Sequence, residues 1–118
     1  MNDQLEILEY NGEGYAPVMH FDAWRVAILN YADRFDERSP LRLERHLLTD
    51  EVFVLLEGAA TLFIGEEMTA YPMERNKIYN VKQGVWHRIT VSRDAKVLIV
   101  ENHNTSKDNS EYLEKGNE

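Results

Sequence analysis

The chain has 118 residues, 43% of them hydrophobic and none of them cysteine, which suits one globular domain with its own core and excludes disulfides and thiolate zinc sites. Its formal net charge is −8, from 21 acidic and 13 basic residues, and no Lys/Arg cluster reverses the sign locally, so nucleic acid is not an expected partner. Residues 1–6 lack the basic start and apolar run of a signal peptide, and the longest apolar stretch, 52–56, is strand-sized, so the expectation is a cytoplasmic protein with no membrane partner.

Along the chain a side-chain period of two prevails almost throughout. Residues 24–31 read as a strand with apolar character on both faces. Residues 33–40 are polar and charged, a loop feeding the next strand at 41–46, where Arg42, Glu44 and His46 share one side. Residues 51–56 are β-branched and apolar, and 61–64 follow after a turn at Gly58, so the two form a hairpin. Further strands are expected at 77–81, 86–91 and 96–100, separated by turn chemistry at 65–67, 82–84 and 92–94. After Asn102 the composition turns polar; 103–118 is an extension whose last few residues are mobile, and no assignment follows for residues 111–113. The fold class is therefore all-β, an antiparallel sandwich or barrel with a core over about 20–102.

Two residues stand out because a strand's interior face is the wrong place for them. Glu51 alternates with Phe53 and Leu55, so it looks inward, where an uncompensated carboxylate is costly. His87 alternates in the same way with Ile89 and Val91. Two imidazoles and a carboxylate converging on one point form the facial arrangement favoured by iron(II) and accepted by manganese, zinc or nickel, with open positions for a substrate. His20 and His103 read as surface or loop residues, Trp24 and Trp86 as packing, and Tyr79 as a half-buried strand residue.

The spacing Glu44-x-His46-x₄-Glu51-x₆-Gly58, followed by Gly84-x-x-His87, resembles the two motifs of the cupin superfamily. The resemblance implies a single cupin-like domain over 1–118, a jelly-roll barrel holding one divalent transition metal (Fe, Mn, Ni or Zn) on His46, Glu51 and His87. Glu44 stands where the family has its first histidine, Asn76 and Lys82 where the second motif has glycine and proline, and Val91 where it closes with asparagine. Glu44 is then a fourth, harder ligand, a general base, or the ion-pair partner of Arg42; alternatively Arg42 receives a substrate carboxylate or phosphate. Two carboxylates in one barrel repel, so removing an ion from between them is expected to raise at least one of their pKa values.

The function implied is a metal-dependent enzyme of isomerase, lyase or dioxygenase type acting on a small sugar or organic acid. The alternative is a non-catalytic module binding a small ligand such as a sugar, with or without metal. A homodimer is expected too, through strands near Trp24 and Val97.

Overall fold

Strands with one apolar face need another such face to cover it, and two facing sheets satisfy each other. The computed structural model, which describes residues 4–115, shows this solution. Its strands are β1 (Tyr15–Phe21), β2 (Trp24–Asn30), β3 (Arg42–His46), β4 (Glu51–Glu57), β5 (Ala60–Ile64), β6 (Thr69–Pro72), β7 (Tyr79–Val81), β8 (His87–Val91), β9 (Lys96–Asn102) and β10 (Ser110–Glu114). One sheet runs β1-β2-β9-β4-β7 and the other β10-β3-β8-β5-β6, every neighbouring pair antiparallel. The expected all-β, antiparallel jelly-roll architecture is what forms. No helix among the described residues is long and apolar enough to cross a membrane.

The core lies between the sheets and draws on the inward phase of each: Leu29, Phe53, Leu55, Leu62, Ile89, Val97 and Ile99 are its larger members. β8 departs from alternation, since all five of its residues are buried. Its outer side is covered by the 33–40 segment, a 3₁₀ turn η1 (Asp33–Phe35) and the loop after it. Arg88 points into that cover and donates to the carbonyls of Asp36 and Ser39 and to Ser39 Oγ, at 3.1, 3.2 and 3.1 Å. The polar stretch is thus a packed flap as well as a connection.

The strands not foreseen, β1, β6 and β10, all lie at sheet edges, where one flank is open and apolar alternation is not demanded. β10 lies within the polar stretch 103–118, reached through a second 3₁₀ turn, η2 (Lys107–Asn109), whose capping box is built on Ser106. It pairs with β3 from Ser110↔His46 to Glu114↔Arg42. The final residues expected to be mobile, 116–118, and the first three of the N-terminal stretch lie outside the described residues.

Two expectations need correction. β4 and β5 do not form the expected hairpin: the chain changes sheets at Gly58, so β4 pairs with β7 and β9 while β5 pairs with β6 and β8. Val97 cannot serve dimer formation by sheet extension, because β9 is the central strand of its sheet and Val97 is 0% exposed. β2 is also flanked on both sides, leaving β1 and β7 as the edges.

Three motif positions have a backbone explanation. Asn76 sits at φ 68°, a left-handed conformation that asparagine tolerates better than most residues, so it replaces the expected glycine without changing the turn. Gly58 has φ 71°, and a Cβ there would lie 2.7 Å from Ala95 Cα and 2.8 Å from its nitrogen. Gly84 has φ 78° with nothing within 4 Å of an added Cβ. Gly84→Ala should therefore cost only the left-handed strain, about 1–2 kcal/mol, and Gly58→Ala clearly more. Denaturant midpoints of the two variants test this, and equal losses would refute the backbone clash at Gly58.

Candidate metal centre

The two motifs meet because each occupies a different layer. β3 carries Glu44 and His46 on its inner face, and its neighbour β8 brings His87 directly opposite Glu44. The 47–50 turn then crosses to the other sheet, so Glu51 opens β4 facing back towards the histidines. That crossover is tied down from the 82–84 turn. Gly84 N donates to the His46 carbonyl at 2.9 Å, and Gln83 N to Asp50 Oδ1 at 2.8 Å.

Glu44, His46, Glu51 and His87 each offer one ligand atom, all within 4.8 Å of one another. Glu51 Oε1 lies 3.0 Å from Nε2 of both rings, whereas Glu44 Oε1 is 3.7 Å from His46 and 3.8 Å from His87. Side-chain exposure falls from 39% at Glu44 to 2% at His87, so Glu44 marks the open end. At His87 the other nitrogen donates to the Val85 carbonyl at 3.0 Å, which directs Nε2 at the cluster. At His46 the other nitrogen meets Ser110 Oγ at 2.7 Å.

The donor set fits a divalent transition ion: two imidazole nitrogens and two carboxylate oxygens, with both rings anchored through Nδ1. His46 Nε2 supplies an independent indication. It is buried and without a hydrogen-bond partner, because its approach to Glu51 is out of line.

Without an ion the imidazoles stand in for it. Burial pushes the Glu51 carboxyl up, but His46 and His87 more than offset this and bring it down to about 2. Burial lowers both histidines, and the nearby Glu51 overcomes it, so both end above their ordinary value. Glu51 is therefore held low even with no cation between it and Glu44.

Arg42 does not pair with Glu44. Its guanidinium carbon lies 4.3 Å over the ring of Tyr112 on β10, and no ion pair engages it among the described residues. His20 and His103 stack on each other at 3.7 Å, and Trp86 lies beneath Arg45 at 4.4 Å, as surface and packing residues do. Trp24 is 44% exposed.

A buried network beside Glu51 escaped the sequence reading. Glu101 is 5% exposed, and its Oε2 accepts from Tyr15 at 2.5 Å and from Arg25 at 2.7 Å. Burial, and then the charge of Glu51, push its carboxyl up to about 7. The signal was present: Glu101 holds the inward phase of Val97 and Ile99, just as Glu51 holds that of Phe53. Ser110 carried no comparable signal, lying in a polar stretch without periodicity.

No family model matches the chain, and no curated protein matches its sequence. Its fold does match solved structures. Streptomyces Pac13, described as a unique nucleoside dehydratase and also solved with uridine, aligns over 89% of this chain and 82% of its own at 8% identity and TM-score 0.65. A cupin-2 domain protein from Shewanella frigidimarina aligns over 80% and 85% at 17% identity and TM-score 0.58. A Planctomyces limnophilus protein aligns over 75% and 70% at 18% identity and TM-score 0.55. The chain has the cupin fold.

The titrations fix a pH profile for the metal-free protein. Raised histidines stabilise fully below their ordinary 6.5 and lose that contribution as pH climbs through their folded values. Depressed Glu51 contributes above its ordinary 4.5 and loses this as pH falls towards about 2. Glu101, raised to about 7, loses its contribution as pH climbs from its ordinary 4.5 to about 7, because ionising it is unfavourable in the fold, and so draws the maximum towards the acid end. Melting temperature with chelator present should therefore peak between 4.5 and 6.5. His87→Gln should make the alkaline decline shallower, and an undiminished decline would remove His87 from the explanation.

Proposed function

We propose that this cupin-fold chain is a metal-dependent enzyme acting on a small sugar or organic acid, with one divalent transition metal (Fe, Mn, Ni or Zn) held by His46, Glu51, His87 and Glu44. The observation that carries the reading is the convergence of four potential ligand atoms within 4.8 Å of one another, with Nε2 of His46 buried there and without a hydrogen bond in line. When bound, such an ion polarises a carbonyl or hydroxyl of the substrate or lowers the pKa of a bound water. The reaction belongs to the isomerase, lyase or dioxygenase group.

The chain's own groups divide the work. Glu51, held low by two imidazoles, is a fixed anion and a poor proton acceptor at neutral pH. Glu44 is the exposed carboxylate, outside hydrogen-bond range of both rings, so it serves at the mouth either as fourth ligand or as the base that takes a proton. Arg42 is the substrate-binding residue. Two positions from Glu44 on the same face, with Tyr112 under its guanidinium, it keeps its planar donors available for a carboxylate or phosphate. Pac13 with its uridine gives a ligand of comparable class, small, polar and sugar-bearing.

The proposal includes a cytoplasmic homodimer. The β1 edge is open, and Phe21 and Trp24 beside it are 68% and 44% exposed, 6.3 Å apart between ring centres. Sedimentation of the wild type and of Trp24→Ser should show a dimer weakened by the substitution, while a monomeric wild type would dismiss it.

Metal analysis of purified protein tests the main claim. About one transition ion per chain is expected, lost in His46→Ala and in His87→Ala. Arg42→Gln should keep the ion but weaken an anionic ligand by about tenfold to a hundredfold, the worth of a hydrogen bond to a charged group. Metal-free protein that still binds a neutral sugar would favour the non-catalytic binding module instead.

A further inference from the structure

Resting on the metal reading above, we propose that Ser110 is the positioning residue for His46, so that a site built from residues 44–87 depends on the C-terminal strand β10 for one of its ligands. The two rings are anchored unequally. The Nδ1 partner of His87 is a backbone carbonyl, which only accepts, so Nδ1 carries a proton and Nε2 is left to the cluster, where it faces Glu51 Oε1 at 3.0 Å and is the nitrogen that would ligate an ion. The Nδ1 partner of His46 is a hydroxyl, which can donate or accept, so the partner alone does not choose the tautomer.

The far nitrogen makes the choice. A proton on Nε2 of His46 would be buried with no acceptor in line, whereas a proton on Nδ1 meets Ser110 Oγ at 2.7 Å. Ser110 accepts, and both imidazoles then turn the same nitrogen, Nε2, towards Glu51 and the place an ion would take.

The hydroxyl is placed without help from any ion. Ser110 is the direct strand partner of His46. β10 is bracketed by backbone bonds from Leu47 N to the Asn109 carbonyl and from Lys115 N to the Leu41 carbonyl, each 3.0 Å, and Glu111 accepts from Arg45 Nε at 2.8 Å. Removing Oγ leaves this pairing intact and frees only the ring. The outward anchor of a ligating imidazole commonly governs metal affinity by about tenfold to a hundredfold.

The test compares wild type, Ser110→Ala and Ser110→Thr by titration with Zn²⁺ and Mn²⁺ against a competing chelator, with melting curves of the metal-free forms as the folding control. Ser110→Ala should bind about 10–100-fold more weakly, and Ser110→Thr, which restores a hydroxyl, should recover most of the loss. Nitrogen-15 spectra of the histidines in metal-free protein at alkaline pH provide a readout independent of metal. His46 should be protonated on Nδ1 in wild type and a tautomer mixture in Ser110→Ala, with His87 the same in both. Equal affinities of wild type and Ser110→Ala, or a wild-type His46 protonated on Nε2, would overturn the assignment. If wild type takes up no ion, the proposed function fails, and the nitrogen spectra alone then decide the role of Ser110.

Discussion

A carboxylate 5% exposed, on a strand whose next inward residue is Phe53, is among the most demanding objects a small barrel can contain. Glu51 is tolerated because two histidines from the opposite sheet approach one of its oxygens to 3.0 Å. That requirement shapes its surroundings. The short 47–50 crossover has to turn the chain so that Glu51 faces the strand it has just left, and the 82–84 turn holds the crossover by two backbone donors. Phe53 adds an edge contact to the His87 ring at 6.0 Å, so the apolar core begins where the polar cluster ends. Glu101 is a second inward carboxylate and meets the same problem differently, through an arginine and a tyrosine on its own sheet.

The inner strands and the clustered polar residues were legible from sequence for one reason. Burial on one face imposes a period of two, and a charged residue in the buried phase becomes conspicuous. This located Glu51 and His87, and it applies equally to Glu101, where the reading stopped at the apolar residues before it. The edge strands gave no such mark. β6 is exposed at all four positions, and β10 is held by backbone bonds to β3, to which side-chain composition is indifferent. Ser110 was for that reason out of reach, although it touches His46. The 33–40 segment was readable as polar but not as a cover, because its contacts with Arg88 run through backbone carbonyls and one serine hydroxyl.

The departures from the cupin motifs also separate by physics. Asn76 for glycine leaves the backbone unchanged, since a left-handed φ of 68° is open to asparagine. Glu44 for histidine alters the chemistry. It puts an anion of 39% side-chain exposure at the mouth of a cluster whose other members are nearly closed to water. Arg42, alone above the Tyr112 ring, is the nearby cation along the same strand face and gives the mouth a polarity of both signs.

The cluster takes Glu51 from one sheet and its other three members from the facing one. An ion seated there would act as a cross-brace between the layers, beyond their apolar packing and the contacts of Glu51 with the two rings. Loading would then be felt far from the mouth, as a joint slowing of amide exchange along β4 and β8. Emptying would leave the layers coupled there through Glu51 and the two rings alone, each keeping its own ladder of hydrogen bonds.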